Sequence, residues 1–106
     1  MNFCYLYLTC DSKEADSLTE LLLKERLIAC VKKVPVNSTY WWEGSIEKAN
    51  ETMLVMESAE ELFDKVESLL KTNHSYDTFV LTAVPMARIS YDAQAWLKSN
   101  LESKSK

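Results

Sequence analysis

The chain has 106 residues, of which 47% are hydrophobic and 26% are charged, and its net charge at pH 7 is −4. This length fits one globular domain, and the composition argues against disorder. The acidic balance disfavours a general nucleic-acid binder, and no apolar run approaches the roughly 20 residues of a membrane span. The three cysteines and the lack of a basic, signal-like start predict free thiols and a cytoplasmic protein.

The chain begins with a predicted strand and helix. Residues 3–9 are apolar at both parities, which is typical of a strand in the middle of a sheet. Asp11 and Glu14 have the spacing of a capping box. Leucines at helical spacing follow it, so a helix is predicted over 12–25.

The next part of the chain predicts a series of strands rich in aromatic residues. Strands are expected at 27–35, 39–42, 45–47 and 51–57, with a turn or bulge at 37–38 and turns at 43–44 and 49–50. Successive side chains of a strand point to opposite faces, so Trp41 faces one way and Tyr40 and Trp42 the other. Both faces of this strand need apolar cover, which favours a second subunit.

The last part of the chain predicts two more helices around one strand. Ser58 and Glu61 form a second capping box before a helix over 59–72. After a loop at 73–77, a strand is expected over 78–84 and a last helix over 90–101. The residues expected to face inward from that helix are Ala93, Trp96, Leu97 and Leu101.

This order of elements predicts an α+β fold, the ferredoxin-like split βαβ sandwich (βαββαβ plus a C-terminal helix). The single domain is expected to cover residues 1–102, followed by a polar tail at 103–106. Two long helices would cover one face of the sheet. The other apolar face would stay uncovered, which predicts an oligomer with its sheets packed inward.

Few residues have an obvious chemical role. Cys4 and Cys30 lie within strands, where cysteine usually acts as a small buried hydrophobe. Cys10 lies just before a capped helix, whose N-terminus can lower a thiol pKa, and thiolates bind soft metals. His74 is the only histidine, and together with Tyr76 and Asp77 it could bind a metal or fix its loop by hydrogen bonds.

The sequence contains no motif that defines an enzyme. It has no C-x-x-C or H-x-x-x-H pattern, and one glycine excludes a glycine-rich phosphate loop. A Cys–His pair would need Cys10 or Cys30 to meet His74 in space, which spacing alone does not show. The aromatic segment could stack bases, but the acidic balance counts against nucleic-acid binding.

Several segments together resemble one family. They are Thr9-Cys10, Leu27-Ile28-Ala29-Cys30-Val31, Tyr40-Trp41-Trp42-Glu43-Gly44 with Ile46-Glu47, His74-Ser75-Tyr76-Asp77, Val84-Pro85 and Trp96-Leu97. In this order and spacing they are similar to the CutA divalent-cation-tolerance family, over nearly the whole chain.

The resemblance implies a ferredoxin-like subunit in a tight homotrimer similar to the PII signalling proteins, with edge strands that pair between subunits. It also implies a role in tolerance to copper and other divalent cations, no organic cofactor and no established catalysis. By matching positions, the implied metal ligands are Cys10, Cys30, Glu43 and His74. Such a site is expected near a subunit interface, where residues distant in sequence can converge.

The chain departs from the family pattern at three places, one of which is the turn after Pro35, where the family's common glycine is missing. Ser75 stands where the family usually has proline, which is expected to loosen the loop. Ile89, Ser90 and Ala93 stand where the family usually has a Gly-Asn or Gly-Asp pair and then a tyrosine, so a ligand of an inter-subunit cleft could differ here. Two other functions therefore stay open: a PII-like sensor that binds a small molecule in that cleft, and a purely structural trimer.

Overall fold

The computed structural model describes residues 1–101 and shows four strands and three helices there. Their bounds are β1 Phe3–Cys10, α1 Ala15–Lys24, β2 Cys30–Trp42, β3 Ser45–Ala59, α2 Phe63–Asn73, β4 Leu81–Pro85 and α3 Tyr91–Asn100. Short 3-10 turns lead into α1 and α2. The order confirms the predicted βαββαβ plus a C-terminal helix. The predicted tail at 103–106 lies outside the described residues.

The four strands form one antiparallel sheet in the order β2-β3-β1-β4. Alternate residues of the two central strands point to the helix side, where they are buried. This core includes Cys4, Leu6, Leu8 and Cys10 of β1, Leu54 and Met56 of β3, Leu18 and Leu22 of α1, and Val66 and Leu70 of α2. Each fully buried leucine contributes about 1.5–3 kcal/mol, so this layer is the main source of stability.

The second face of the sheet is only partly covered in the single chain. Tyr7 and Val34 lie on this face and are 36% and 40% exposed. Tyr5, Met53 and Val55 share it and are half-buried. The structure thus confirms the prediction that one apolar face has no helix layer of its own.

A long hairpin replaces the interrupted strands predicted for the middle of the chain. The expected turns at 37–38 and 49–50 are wrong: Asn37 pairs with Asn50 across the two strands, and their side chains hydrogen-bond to each other. The turn at Glu43-Gly44 is confirmed. Both residues have positive φ, 49° and 83°, as two-residue hairpin turns of the primed type require.

The outer half of this hairpin extends beyond the sheet as a two-stranded ribbon. Strand β1 pairs with β3 only from Thr52 onward, so the seven residues Val36–Trp42 and their partners in β3 have no further neighbouring strand. At about 3.3 Å per residue the ribbon is roughly 23 Å long. It carries Trp41, 72% exposed, opposite Ile46, 61% exposed.

The predictions made from local sequence signals were less accurate than the predicted order of the strands and helices. The prediction of a Ser58–Glu61 capping box is wrong. Ser58 Oγ donates to the Leu27 carbonyl, and the Glu61 carboxylate accepts from the backbone N–H of Asn2. The last strand begins at Leu81 rather than at residue 78. In α3, Leu97 is buried as predicted, but Trp96 is 46% exposed and does not face the core.

Candidate functional site at the end of the central strand

A group of polar side chains surrounds the point where β1 ends. It consists of Cys10, Glu14, Glu51, His74 and Tyr76, which we call the corner site. Cys10 ends β1, Glu14 ends the 3-10 turn before α1, and Glu51 lies in β3 just beyond the pairing with β1. His74 caps the C-terminus of α2, and its loop brings Tyr76 over the strand end. One end of the sheet and the helix layer thus meet here.

The His74 ring is held at both nitrogens, and its side chain is fully buried. The Tyr76 backbone N–H donates to Nδ1 at 3.1 Å, so this nitrogen is an acceptor. The other nitrogen, Nε2, lies 3.1 Å from the Thr9 carbonyl oxygen, which can only accept. The geometry therefore assigns a neutral ring with the proton on Nε2. The Phe79 ring stacks on it at 5.4 Å.

The Glu14 carboxylate fixes the loop that follows α2. It accepts from the Ser75 N–H at 3.0 Å and from Ser75 Oγ at 2.5 Å. Its Oε2 also lies 3.6 Å from His74 Nδ1. The predicted capping box is therefore half correct: the Asp11 carboxylate caps the turn through the Lys13 N–H, whereas Glu14 reaches across to the loop.

Ser75 fixes this loop by hydrogen bonds, contrary to the expectation that a serine at this position loosens the loop. Proline has neither a backbone N–H nor a hydroxyl. Both bonds from Ser75 to Glu14 are therefore ones that proline could not make. The departure from the family pattern adds two charge-assisted hydrogen bonds at this position.

Tyr76 connects the loop to the base of the ribbon. Its hydroxyl donates to Glu51 Oε2 at 2.6 Å, and Glu51 is only 8% exposed. Burial, together with the bond to this carboxylate, raises the Tyr76 pKa, so the phenol stays protonated. A buried carboxylate without this donor would be costly, so the pair fixes the loop against β3. Asp77, predicted as a possible third member, is exposed.

Cys10 has a different environment from the one predicted. Its side chain is buried in the core, and burial raises the thiol pKa from its ordinary value of 9.0 to about 11. The carboxylates of Glu14, Asp11 and Glu51 add to this rise. The expectation that a helix N-terminus lowers this pKa is wrong, because desolvation and three nearby negative charges disfavour the thiolate.

This environment predicts slow thiol chemistry at Cys10 and at Cys4, whose pKa burial also raises to about 11. In the folded protein at pH 8, iodoacetamide should leave both thiols unmodified, whereas urea should expose them. Both folded pKa values exceed the unfolded value. Their contribution to stability is therefore present below pH 9 and is lost as the pH rises from about 9 to 11.

Mass spectrometry of the labelled peptides distinguishes the thiols, and urea titrations at pH 8 and pH 10.5 test the loss of stability. The matched control is Cys30→Ala, because Cys30 is the partly exposed cysteine. This variant should show no rapid labelling at all. Rapid modification of Cys10 in the folded protein would contradict the burial described here.

The other two predicted metal ligands lie far from the corner site. The row of paired residues that contains Cys10 continues into β2 at Pro35. Cys30 is five residues from Pro35, about 17 Å along the strand, and Glu43 lies beyond the far end of the ribbon, more than about 20 Å away. One subunit therefore brings Cys10 and His74 into the same region but separates both from Cys30 and Glu43.

Cys30 has its own polar neighbours on the open face of the sheet. Lys32 Nζ lies 3.6 Å from Cys30 Sγ and 3.2 Å from Glu57 Oε2. The hydrogen bond to Glu57 is the main reason why the Lys32 pKa is raised. The expectation that Cys30 is a small buried hydrophobe is wrong, because Cys30 is partly exposed, whereas Cys10 is buried.

The described residues show no ready-made metal centre. Within residues 1–101, no three His, Cys, Asp or Glu side chains are arranged to hold a metal ion. In the same range, no helix is long and apolar enough to cross a membrane. At the corner site the hydrogen bonds described above already engage both His74 nitrogens, both Glu14 carboxylate oxygens and Glu51 Oε2.

Sequence reasoning missed Glu14 and Glu51 as members of this site. The sequence predicts only that Glu14 belongs to a helix cap and that Glu51 begins a strand. The signal that could have identified Glu51 is its position: a carboxylate beside apolar strand residues needs a donor, and Tyr76 is a donor in the one loop that contains the histidine.

The fold places this chain among small α+β proteins that have a ferredoxin-like sheet and a protruding two-stranded ribbon. Residues 4–100 match the family model described as CutA1 divalent ion tolerance protein. The chain is 34% identical over 99 residues to a divalent-cation tolerance protein CutA of Archaeoglobus fulgidus, covering 92% of this chain and 97% of that protein. This chain therefore belongs to the CutA1 divalent ion tolerance family.

Solved structures agree with this assignment. The structure described as the periplasmic divalent cation tolerance protein CutA from Archaeoglobus fulgidus superposes with a TM-score of 0.91, covering 94% of this chain and 99% of that one. CutA1 from Oryza sativa superposes with a TM-score of 0.93 at 30% identity, covering 97% of this chain and 96% of that one. The ferredoxin-like fold is thus confirmed.

Proposed function

We propose that this chain acts in divalent-cation tolerance as a homotrimer that binds copper or another divalent metal ion and catalyses no reaction. The observation that carries the proposal is the family assignment over residues 4–100. The names of the relatives support a role in metal tolerance in general. The particular metal, the trimer and the ligands are the finer parts of the proposal.

The trimer is supported by the surfaces that a single chain leaves open. An isolated two-stranded ribbon is only marginally stable in water, and this one exposes Trp41 and Ile46. The second face of the sheet exposes Tyr7 and Val34. An assembly that covers both surfaces would explain why the sequence places large apolar residues on them.

The metal site is proposed at the corner site, with His74 and Cys10 as the principal ligands. Binding there requires the loop to open, since the His74 nitrogens are occupied by the Tyr76 N–H and the Thr9 carbonyl. The Cys10 thiol must also lose its proton to the metal. Cys30 and Glu43 could join only as ligands from another subunit.

Calorimetric titration of Cu(II) and of Cu(I) into four single variants tests this assignment. We expect Cys10→Ser and His74→Gln to weaken binding by about tenfold or more, because each removes one ligand. Cys30→Ser and Glu43→Gln are the matched controls. They should weaken copper binding as much as the first two variants do only if neighbouring subunits share the site. Identical binding by all four variants and the unmodified protein would remove these residues from the site.

The location of the protein stays a prediction. A cytoplasmic protein was expected, and relatives bear names that place them elsewhere, including a chloroplastic protein of Oryza sativa and a periplasmic one of Archaeoglobus fulgidus. Fractionation of the native cells with an antibody against this chain would decide between these compartments.

A further inference from the structure

A groove lies at the opposite end of the sheet from the corner site. It has a volume of about 710 Å³ and is bordered by the first residues of the chain, the start of the turn before α2 and the segment between β4 and α3. Small-molecule sites typically have about 300–1,000 Å³. The groove is therefore large enough for a small metabolite, and no member of the corner site borders it.

The segment that carries Arg88 is fixed on both sides. The Met86 N–H donates to the Phe3 carbonyl at 3.1 Å, which holds the chain to the start of β1. The Gln94 side chain donates to the Ile89 carbonyl at 3.3 Å, which holds it to α3. Arg88 therefore lies in a held segment that borders the groove.

Two of the side chains that border the groove carry opposite charges and do not pair. Arg88 and Glu60 both border it, and within residues 1–101 neither forms an ion pair with the other or with another side chain. The neighbouring Glu61, in contrast, is engaged by the Asn2 N–H, which lowers its pKa. An unpaired guanidinium and an unpaired carboxylate on one groove match a ligand that carries both charges.

We propose that this groove binds a free α-amino acid with an apolar side chain. Its carboxylate would pair with Arg88, whose planar guanidinium suits a two-point contact with a carboxylate. Its ammonium group would pair with Glu60. The apolar residues Phe3, Met86 and Ile89 also border this mostly polar groove, and the side chain would lie against them. The site lies within one chain and does not depend on the proposed metal function.

Titration calorimetry with L-leucine and L-methionine on the assembled protein tests this site. We expect binding at millimolar or lower concentration, and about tenfold weaker binding for L-leucinamide and for N-acetyl-L-leucine, because each lacks one of the two charges. Arg88→Gln should weaken leucine binding to a similar degree, as should Glu60→Gln. Lys24→Gln and Glu20→Gln, exposed charges on α1, are matched controls and should change nothing.

Three outcomes would overturn the proposal: no binding of either amino acid, binding of the two derivatives that is as tight as that of L-leucine, or leucine binding that Arg88→Gln leaves unchanged. Copper titration of Arg88→Gln separates this site from the corner site. That variant should bind copper like the unmodified protein, so that loss of one activity does not imply loss of the other.

Discussion

Replacing Trp41 and Ile46 with alanine should dissociate the proposed trimer while leaving each subunit folded. The two residues face each other across the ribbon and are 72% and 61% exposed in the single chain. Because they bury little area within their own subunit, their removal should change subunit stability by less than about 0.5 kcal/mol. Their apolar surface is instead available to a neighbouring subunit.

The expected loss of association is large. A buried tryptophan at the centre of an interface commonly contributes 2 kcal/mol or more, roughly thirtyfold in affinity for each contact. A trimer contains three copies of the contact, so the losses accumulate over the assembly.

Sedimentation velocity over a range of protomer concentrations would show this dissociation, with circular dichroism to confirm the fold. Tyr91→Ala is a suitable control, because Tyr91 is also a highly exposed aromatic, 87%, but lies on α3 rather than on the ribbon. A variant that remains a trimer at low concentration would place the ribbon outside the interface. An unmodified protein that is already monomeric would reject the trimer itself.

The order of the elements was predictable because it depends on patterns that repeat along the chain. Residues 3–9 are apolar at both parities, and β1 is indeed a central strand of the sheet. The leucines of α1 repeat at helical spacing, and Leu18 and Leu22 are buried. Such periodicities sum over many residues, so one exception does not change the result.

The long hairpin was not predictable from local signals. Asparagine favours turns, and the sequence places Asn37 and Asn50 where turns were expected. In the structure the two lie opposite each other across the strands, and each satisfies the other by a side-chain hydrogen bond. An asparagine in a strand is thus mistaken for a turn residue as long as its partner on the neighbouring strand is not known.

The composition of the corner site depended on contacts between distant residues. The spacing of Asp11 and Glu14 correctly predicted a capped turn, but Glu14 bonds to Ser75, 61 residues away. For the same reason the pKa of Cys10 was wrongly predicted. Its sequence neighbours suggested a helix N-terminus, whereas burial and the carboxylate of the distant Glu51 contribute to raising the pKa.

His74→Ala should be among the most destabilising single substitutions in this chain, with a loss of about 3–5 kcal/mol. The ring is fully buried, so its removal leaves a cavity against Phe79. It also leaves the Tyr76 N–H and the Thr9 carbonyl without partners. Typical domains have only 5–15 kcal/mol of stability in total.

Two conservative variants separate this structural role from metal binding. The amide of Asn can occupy the place of Nδ1 and that of Gln the place of Nε2, so each can keep one of the two hydrogen bonds. His74→Asn and His74→Gln should each recover part of the stability lost in His74→Ala, as measured by urea unfolding at one fixed protomer concentration.

Neither variant replaces the imidazole as a metal ligand. If His74 binds the metal, both should recover stability without recovering copper affinity. If the role of His74 is only to hold the loop between α1 and the ribbon, copper affinity should be lowest in His74→Ala. It should then recover in His74→Asn and His74→Gln to the degree that stability recovers. Full stability in His74→Ala would contradict the role in holding the loop, because a buried ring with two hydrogen bonds cannot be removed without cost.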